Sequence, residues 1–584
     1  MMWNNKLNLF SFYTSLVAVG IMIIEAGFFT EFLYRSQIIY FYDFSFILTL
    51  INIFYYNFYV KNKALKKIWP LEIAVTLLVF VYYFARFEYS FFETRNFRFF
   101  NLRLLYVLIV LCFIRDFSSL RINFKRTFIN PAQLFILSFL SIILLGAAFL
   151  MMPNATVNGI KPLDALFTAT SAVCVTGLIV LDTSKDFTLF GKIIIISLIQ
   201  IGGLGIMTFA SYFSYFFRGG ASYENQLSLG EMTSSDKLGE VFNTLKRIII
   251  ITVTIEALGA IVIYSTLDLS LLDGSINKGI FFSIFHSISA FCNAGFSTLS
   301  GNLYEPGYQF NYGLHFTVAS LFIFGGLGFP IVYNVYKYVK HLLRKFFLSA
   351  FTRDKFHYTP WVINLNSRII LATTFFLLFF GTVVIYLFEY NGALKNHSTF
   401  GAIIEAFFIS ANNRTAGFNT VDVAAISAPT VMICMFLMWI GASPASTGGG
   451  IKTSTFAIAA LNIISLAKGK KRTEIFRREI GEHSIRRAFA IIALSLIVVG
   501  FGVFLLVIFE PEKDLMSLAF EAFSAYSTVG LSLNITPTLS SAGKFVIIAI
   551  MFIGRVSMFS LLIAVMKREK YYNYRYPKEE ILIN

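Results

Sequence analysis

Four short stretches of the chain pair a Ser-Ala start with a glycine near the end: SAVCVTGL at 171–178, SAFCNAGF at 289–296, SANNRTAGF at 410–418 and SAYSTVGL at 524–531. The third carries one extra residue. None contains an Asp or Glu, so whatever they coordinate must be met by neutral oxygens. Glycine tolerates positive φ and lets another backbone, or an ion, come close. Main-chain carbonyls presented that way can replace the hydration shell of a cation, whereas divalent cations call for carboxylates. The candidate ligands are the backbone oxygens at Val175, Thr176 and Gly177, at Asn293, Ala294 and Gly295, at Thr415, Ala416 and Gly417, and at Thr528, Val529 and Gly530. The guest they suit is a monovalent cation.

The elements that must position these stretches are membrane helices. Of 584 residues, 57% are hydrophobic and 14% charged, and the mean hydropathy is +0.71. Apolar runs of roughly 20 residues, the length that crosses a bilayer, recur along the chain. The net charge of +16 reads as the excess of Lys and Arg in inner loops, with no nucleic acid implied. Basic clusters at 61–67, 115–126, 337–345, 468–478 and 567–570 all fall inside if the N-terminus is cytoplasmic. About twelve spans with both termini inside are then expected, and the four stretches enter from outside. Cys112, Cys174, Cys292 and Cys434 lie in apolar surroundings and are expected as free thiols. No cleavable leader is expected. Clustered His, Asp or Cys at membrane depth, which a membrane-embedded enzyme would need, are lacking.

Four apolar segments come first, near 9–34, 37–60, 69–90 and 101–116. A unit then repeats: a long helix, a short semi-polar helix, the glycine-ended stretch and a second long helix. The second helices are expected near 189–216, 312–340, 429–464 and 544–566. Each carries a further anchor, Ile201-Gly202, Phe324-Gly325, Ile440-Gly441 or Ile553-Gly554, at 25, 30, 24 and 24 residues from its stretch. The expected fold is an all-α polytopic membrane protein. Four helix–pore loop–helix repeats surround a pseudo-fourfold pore, preceded by about four extra transmembrane helices. The divisions are 1–128, 129–220, 221–345, 346–468 and 469–584. Each short helix is too short to span, and irregular backbone at that depth is tolerated where it is buried or lines water. Its C-terminal end, the negative end of its dipole, favours a cation at the axis.

The segments TSAVCVTGL, AFCNAGF, NRTAGFNTVD and STVGLS resemble the four filter sequences of the Trk/Ktr/HKT superfamily of potassium transporters. QIGGLGIMTF at 200–209 and ASTGGGIKT at 445–453 resemble its other signatures. The resemblance covers about 131–566. It implies potassium uptake through a selective, gated pore, with potassium held by filter carbonyls and no tightly bound cofactor. It also implies a homodimer and a cytoplasmic nucleotide-binding (RCK-type) regulatory subunit, in a bacterial cytoplasmic (inner) membrane. In plant relatives a Ser at the first filter glycine goes with sodium preference. Gly177 favours potassium, and a sodium-preferring or poorly selective transporter is the alternative. Where the family reads Gly-Arg-Val-Gly-Pro-Leu-Thr, this chain has GRVSMFS at 554–560.

Several residues invite roles of their own. Pro444 and three glycines break the apolar span 442–453, ASPASTGGGIKT, as expected of an intramembrane gate below the filter rather than a static kink. Its candidate gating residues are Ser446, Thr447, Gly448, Gly449, Gly450 and Lys452. Lys452 either faces the pore or pairs with local carbonyls. Arg555 aligns with Gly203, Gly326 and Ala442, so one long cation beneath the filter meets three small residues. It stands 12 residues before Lys567, roughly 18 Å at ~1.5 Å per residue, too far to snorkel. Arg414 is expected near the outer mouth, bracing the longer third stretch. His286 and Glu521, three residues before their Ser-Ala pairs, are expected to support the filter by hydrogen bonds. Arg95, Arg98 and Arg103 invite a voltage-sensor reading, but they crowd one end of their span, and docking or dimer contact suits them better.

Overall fold

The computed structural model describes residues 2–28, 35–59, 69–92, 97–119, 131–205, 241–351, 364–558 and 561–562. Helices α1 (Met2–Gly27), α2 (Arg35–Tyr59), α3 (Trp69–Phe92) and α4 (Phe97–Ser119) form an N-terminal group. The first repeat is α5 (Pro131–Leu150), α6 (Pro162–Cys174) and α7 (Leu189–Gly203). The second is α8 (Val241–Thr266), α9 (Ile276–Phe291) and α10 (Tyr312–Leu327), continued by α11 (Phe329–Phe351). The third is α12 (Leu365–Glu389), α13 (Thr399–Asn412) and α14 (Ala428–Trp439), continued by α15 (Thr453–Ala467). The fourth is α16 (Glu482–Phe509), α17 (Leu515–Ser527) and α18 (Ser541–Val556). A two-residue-per-strand hairpin, β1 (Glu474–Ile475) with β2 (Arg478–Glu479), joins α15 to α16.

The short helices α6, α9, α13 and α17 start where their sequences say they must. Pro162 opens α6, and its missing N–H costs nothing in a first turn. Ser275, Ser398 and Asp514 cap the other three by accepting from main-chain N–H groups. Each second helix packs on the short helix of the next repeat: α7 on α9, α10 on α13, α14 on α17, and α18 back on α6. That cyclic order closes the four repeats into a ring. Lys544 of α18 seals the last seam with a 2.6 Å ion pair to Asp164 of α6.

The second helices differ from the sequence expectation. Each ends or bends just past the anchor glycine. α10 and α11 are bent by 105°, and α14 ends at Trp439. The residue three past each anchor has positive φ in the other repeats, at Gly205 (76°), Gly328 (79°) and Ser557 (72°), and in the third Ala445 (55°) lies four past. Where one interruption was expected, the helix ends or bends just past the anchor in all four repeats. Among the described residues five helices are long and apolar enough to span by themselves, six if the bent pair counts as one, and the apolar parts of α3 and α5 are shorter. Within GRVSMFS, Ser557 keeps the positive φ that glycine gives at Gly205 and Gly328.

In the N-terminal group, Arg115 is buried and ion-paired to Asp116 (2.9 Å) and Glu72 (3.3 Å), and Ser11 and Thr49 donate to Asp116. Asn154 ties this group to the first repeat, through its amide to Ala26 O (2.7 Å) and its main-chain N–H to Gly27 O (2.9 Å). The basic clusters at 61–67 and 567–570, the continuation of 189–216 past 205, and the side chains of Arg95, Arg98 and Arg103 lie outside the described residues. All four cysteines are free and buried.

Candidate ion pathway

The C-terminal ends of the four short helices converge. At each end the chain turns through a residue of positive φ, namely Val175 (55°), Asn293 (61°), Thr415 (104°) and Thr528 (52°). Two residues on comes a glycine of positive φ: Gly177 (92°), Gly295 (68°), Gly417 (79°) and Gly530 (90°). Such alternation of backbone handedness turns successive carbonyls toward one side.

The four glycines stand shoulder to shoulder in chain order. A Cβ on Gly177 would lie 2.5 Å from Ala294 O, and one on Gly295 2.8 Å from Ala416 O. One on Gly417 would collide with Val529 O, and one on Gly530 with Thr176 O. The ring therefore closes through main-chain oxygens, and glycine is required at each station by contact as well as by φ. All twelve candidate ligand residues come together here, eleven of them buried and Gly530 partly so.

The serine that starts each stretch is a brace. Ser171 Oγ accepts from Gly177 N–H and Ser524 Oγ from Gly530 N–H, both at 3.1 Å, while Ser289 Oγ donates to Phe296 O at 2.7 Å. In the third repeat the extra residue moves Ser410 away to Leu378 O. Asn412 replaces it, donating to Phe418 O (2.5 Å) and accepting from Phe418 N–H (2.9 Å). Behind the ring, His286 bonds Ser297 Oγ (2.9 Å) and Glu521 accepts from Thr536 Oγ1, contacts of the supporting kind expected of both.

The anchor glycines explain themselves in the same way. A Cβ on Gly202, Gly325 or Gly554 would strike the carbonyl of Val173, Phe291 or Tyr526, each in the last turn of a short helix. In the third repeat Gly441 meets Gly449 O instead, because residues 440–452 fold back as a loop closed by an Ile440–Ile451 bridge.

That loop lies against the base of the ring. Gly449 N–H donates to Thr528 Oγ1 (2.8 Å) and Thr447 Oγ1 to Asn293 Oδ1 (2.9 Å), while Ser443 N–H donates to Gly326 O (3.0 Å). Lys452 Nζ donates to Gly448 O at 2.6 Å, so of its two readings the local carbonyl is the one present. Arg555 donates to Thr447 O through one terminal nitrogen and to Gly202 O through the other.

Arg414 departs from expectation. Its guanidinium donates to Gly441 O (3.3 Å) and is buried, so it braces the helix break rather than the outer mouth. The reason is its place at the inner end of α13, beside the α14 break. Two contacts escaped the sequence reading. Asn413 Nδ2 donates to Cys434 Sγ (3.0 Å). Glu256 accepts from Gln200 Nε2 at 3.1 Å on both oxygens and lies beside Cys292 Sγ. One carboxylate inside the apolar span 246–266 was the available signal for Glu256.

A closed ring of neutral backbone oxygens, held by the ends of four short helices inside a bundle of apolar helices, is the arrangement of a membrane cation-transport protein. The chain belongs to the TrkH family of cation transport proteins, which it matches over residues 99–574. It is 35% identical over 454 residues to the Ktr system potassium uptake protein B of Bacillus subtilis, a match covering 77% of this chain and 96% of that one. It is 36% identical to the Ktr system potassium uptake protein B of Vibrio alginolyticus, over 77% of this chain and 94% of that one. The potassium/sodium uptake protein NtpJ of Enterococcus hirae is also 36% identical, over 78% of this chain and 98% of that one. The crystal structure of the potassium transporter TrkH from Vibrio parahaemolyticus shares the fold, with a TM-score of 0.58 at 17% identity over 85% of this chain and 98% of that one.

Proposed function

We propose that the protein takes up potassium through the ring of Gly177, Gly295, Gly417 and Gly530, with the carbonyls around them as the selectivity filter. The observation that carries this reading is the closure of that ring by main-chain oxygens alone, with no carboxylate among the four stretches. Neutral carbonyls favour a monovalent cation. Potassium is the substrate, and the protein is a transporter and not an enzyme.

The 442–453 loop and Arg555 form the gate. The loop is fastened to the underside of the ring, and the guanidinium spans from that loop to the first repeat. The same reading includes a homodimer and a cytoplasmic nucleotide-binding (RCK-type) subunit that moves the gate. It places the chain in a bacterial inner membrane with both termini inside, divided into the N-terminal helices of 1–128 and four pore repeats.

The test is growth of a potassium-uptake-deficient bacterium on limiting potassium with and without this chain, alongside potassium flux into proteoliposomes with sodium as competitor. Rescue and potassium-selective flux are expected. Flux that follows sodium instead favours the alternative raised by the name of the Enterococcus relative.

A further inference from the structure

The hairpin between α15 and α16 is clipped to the helix that precedes it. α15 ends at Gly469 (φ 66°), where Gly469 N–H donates to Leu466 O (2.9 Å) and Lys470 N–H to Ser465 O (3.0 Å). Ser465 Oγ then donates to Arg472 O (2.8 Å) and Thr473 Oγ1 to Asn462 Oδ1 (3.1 Å), and both hydroxyl residues are buried. Two residues join β1 to β2, Phe476 (φ 50°) and Arg477 (φ 62°). A two-residue turn with positive φ at both places is ordinarily made by Asn-Gly or Gly-Gly, and bulkier residues are strained there. Here those places carry an aromatic ring, 43% exposed, and an exposed guanidinium.

Apolar and basic side chains change over within one turn at this end of α15. Ile463, Ile464 and Leu466 are exposed hydrophobics, as on a helix that meets hydrocarbon, and the exposed Lys468, Lys470 and Lys471 follow at once. Residues 468–487 hold eight Lys and Arg against three Asp and Glu. Two of those three carboxylates, Glu479 and Glu482, pair with Arg472 (3.6 Å) and Arg486 (3.1 Å).

We infer that the 468–478 hairpin seats on anionic phospholipid headgroups of the surrounding bilayer, with Lys468, Lys470, Lys471 and Arg477 on the phosphates and Phe476 in the interface. A basic cluster directly beyond a membrane helix is drawn to anionic lipid, each charge adding to the hold. Lysine stems lie along apolar surface while their ammonium groups stay at the headgroups, and the aromatic tip adds apolar burial. The clips through Ser465 and Thr473 already order the hairpin, so seating costs little further freedom. α15 begins at Thr453, directly after the folded-back loop of 440–452, so the lipid holds the far end of the helix that carries that loop. The inference does not depend on which ion the ring takes.

The test uses the full chain with Phe476→Trp, in nanodiscs of phosphatidylcholine alone or of phosphatidylcholine and phosphatidylglycerol in equal parts. Brominated phosphatidylcholine is the quencher in both, and the parent supplies the background of the four native tryptophans. Quenching of the added emission should be several-fold stronger with phosphatidylglycerol. High salt should return it to the phosphatidylcholine level, and so should Lys470→Gln, Lys471→Gln and Arg477→Gln together. Those three side chains are exposed, and their replacement leaves both clips in place. Equal quenching in the two bilayers overturns the proposal, as does a lipid preference that survives the three replacements. A tryptophan that stays in water in both bilayers overturns it as well and leaves the tip to a protein.

Discussion

Arg555 and Thr447 meet as guanidinium and main-chain carbonyl across 108 residues of sequence. The other arm of the same guanidinium holds Gly202 O, so one side chain of the fourth repeat ties the loop of the third to the first. A fixed positive charge beneath a cation filter raises the barrier to passage, and a charge at this depth costs about 2.5 kcal/mol or more to insert. Arg555→Ala is expected to raise potassium flux into proteoliposomes several-fold, with potassium over sodium selectivity unchanged because the ring is untouched. Flux at or below the parent level, in normally assembled protein, would make the arginine a packing residue.

Shortening the loop should act in the same direction. Removing a few residues within 445–451 takes away the donors to Thr528 and Asn293. Basal flux should rise and dependence on a cytoplasmic partner should weaken. A folded variant that conducts less would mean that the segment is a structural kink.

Selectivity itself should fail when a ring glycine gains a side chain. Gly177→Ser and Gly530→Ser each force a Cβ against a neighbouring carbonyl at a backbone angle that L residues rarely adopt. Both should lower potassium over sodium discrimination in competition flux assays. Unchanged discrimination in both, at normal expression, would remove the ring from the role assigned to it.

Ser557 holds φ 72° and ψ 127° where Gly328 holds 79° and 150°. A side chain in such a region costs about 1–3 kcal/mol. Ser557→Gly should therefore stabilise the protein, seen as a rise in the detergent-solubilised unfolding temperature. A fall would mean that the hydroxyl contributes more than the strain removes.

Arg115→Met takes the guanidinium away from two buried carboxylates. Breaking such a group from one side costs about 3–5 kcal/mol. A marked drop in unfolding temperature is expected, with recovery when Glu72→Gln and Asp116→Asn are added. No drop would show that the pair contributes little to the N-terminal helices.

The ring and the anchors were legible in the sequence because both are demands on the backbone that glycine alone meets, written four times in register. The helix breaks were less so. Gly205 and Gly328 look like ordinary glycines in apolar runs, and Ser557 hides the same turn behind a residue that rarely makes it. The length of α10 could not be read either, since its end is set where Gly328 lies against the carbonyls of Pro444 and Ala445, more than a hundred residues away. Arg414 was misplaced because what sets its side chain is less the inserted residue than its place at the inner end of α13, beside the α14 break, and no periodicity records that. Asn412 as the substitute brace follows from the same insertion.

The repeats are joined in one polypeptide, and this has a consequence for how such a pathway can be altered. In a tetramer of identical subunits every substitution is made four times, and an arginine at the level of Arg555 would bring four like charges to one axis. Here Gly203, Gly326 and Ala442 stand at the aligned position of the other three repeats, so a single charge and a single folded-back loop can exist without copies of themselves. Each wall can be edited alone, and an asymmetry that four identical subunits could not hold is written into the chain itself.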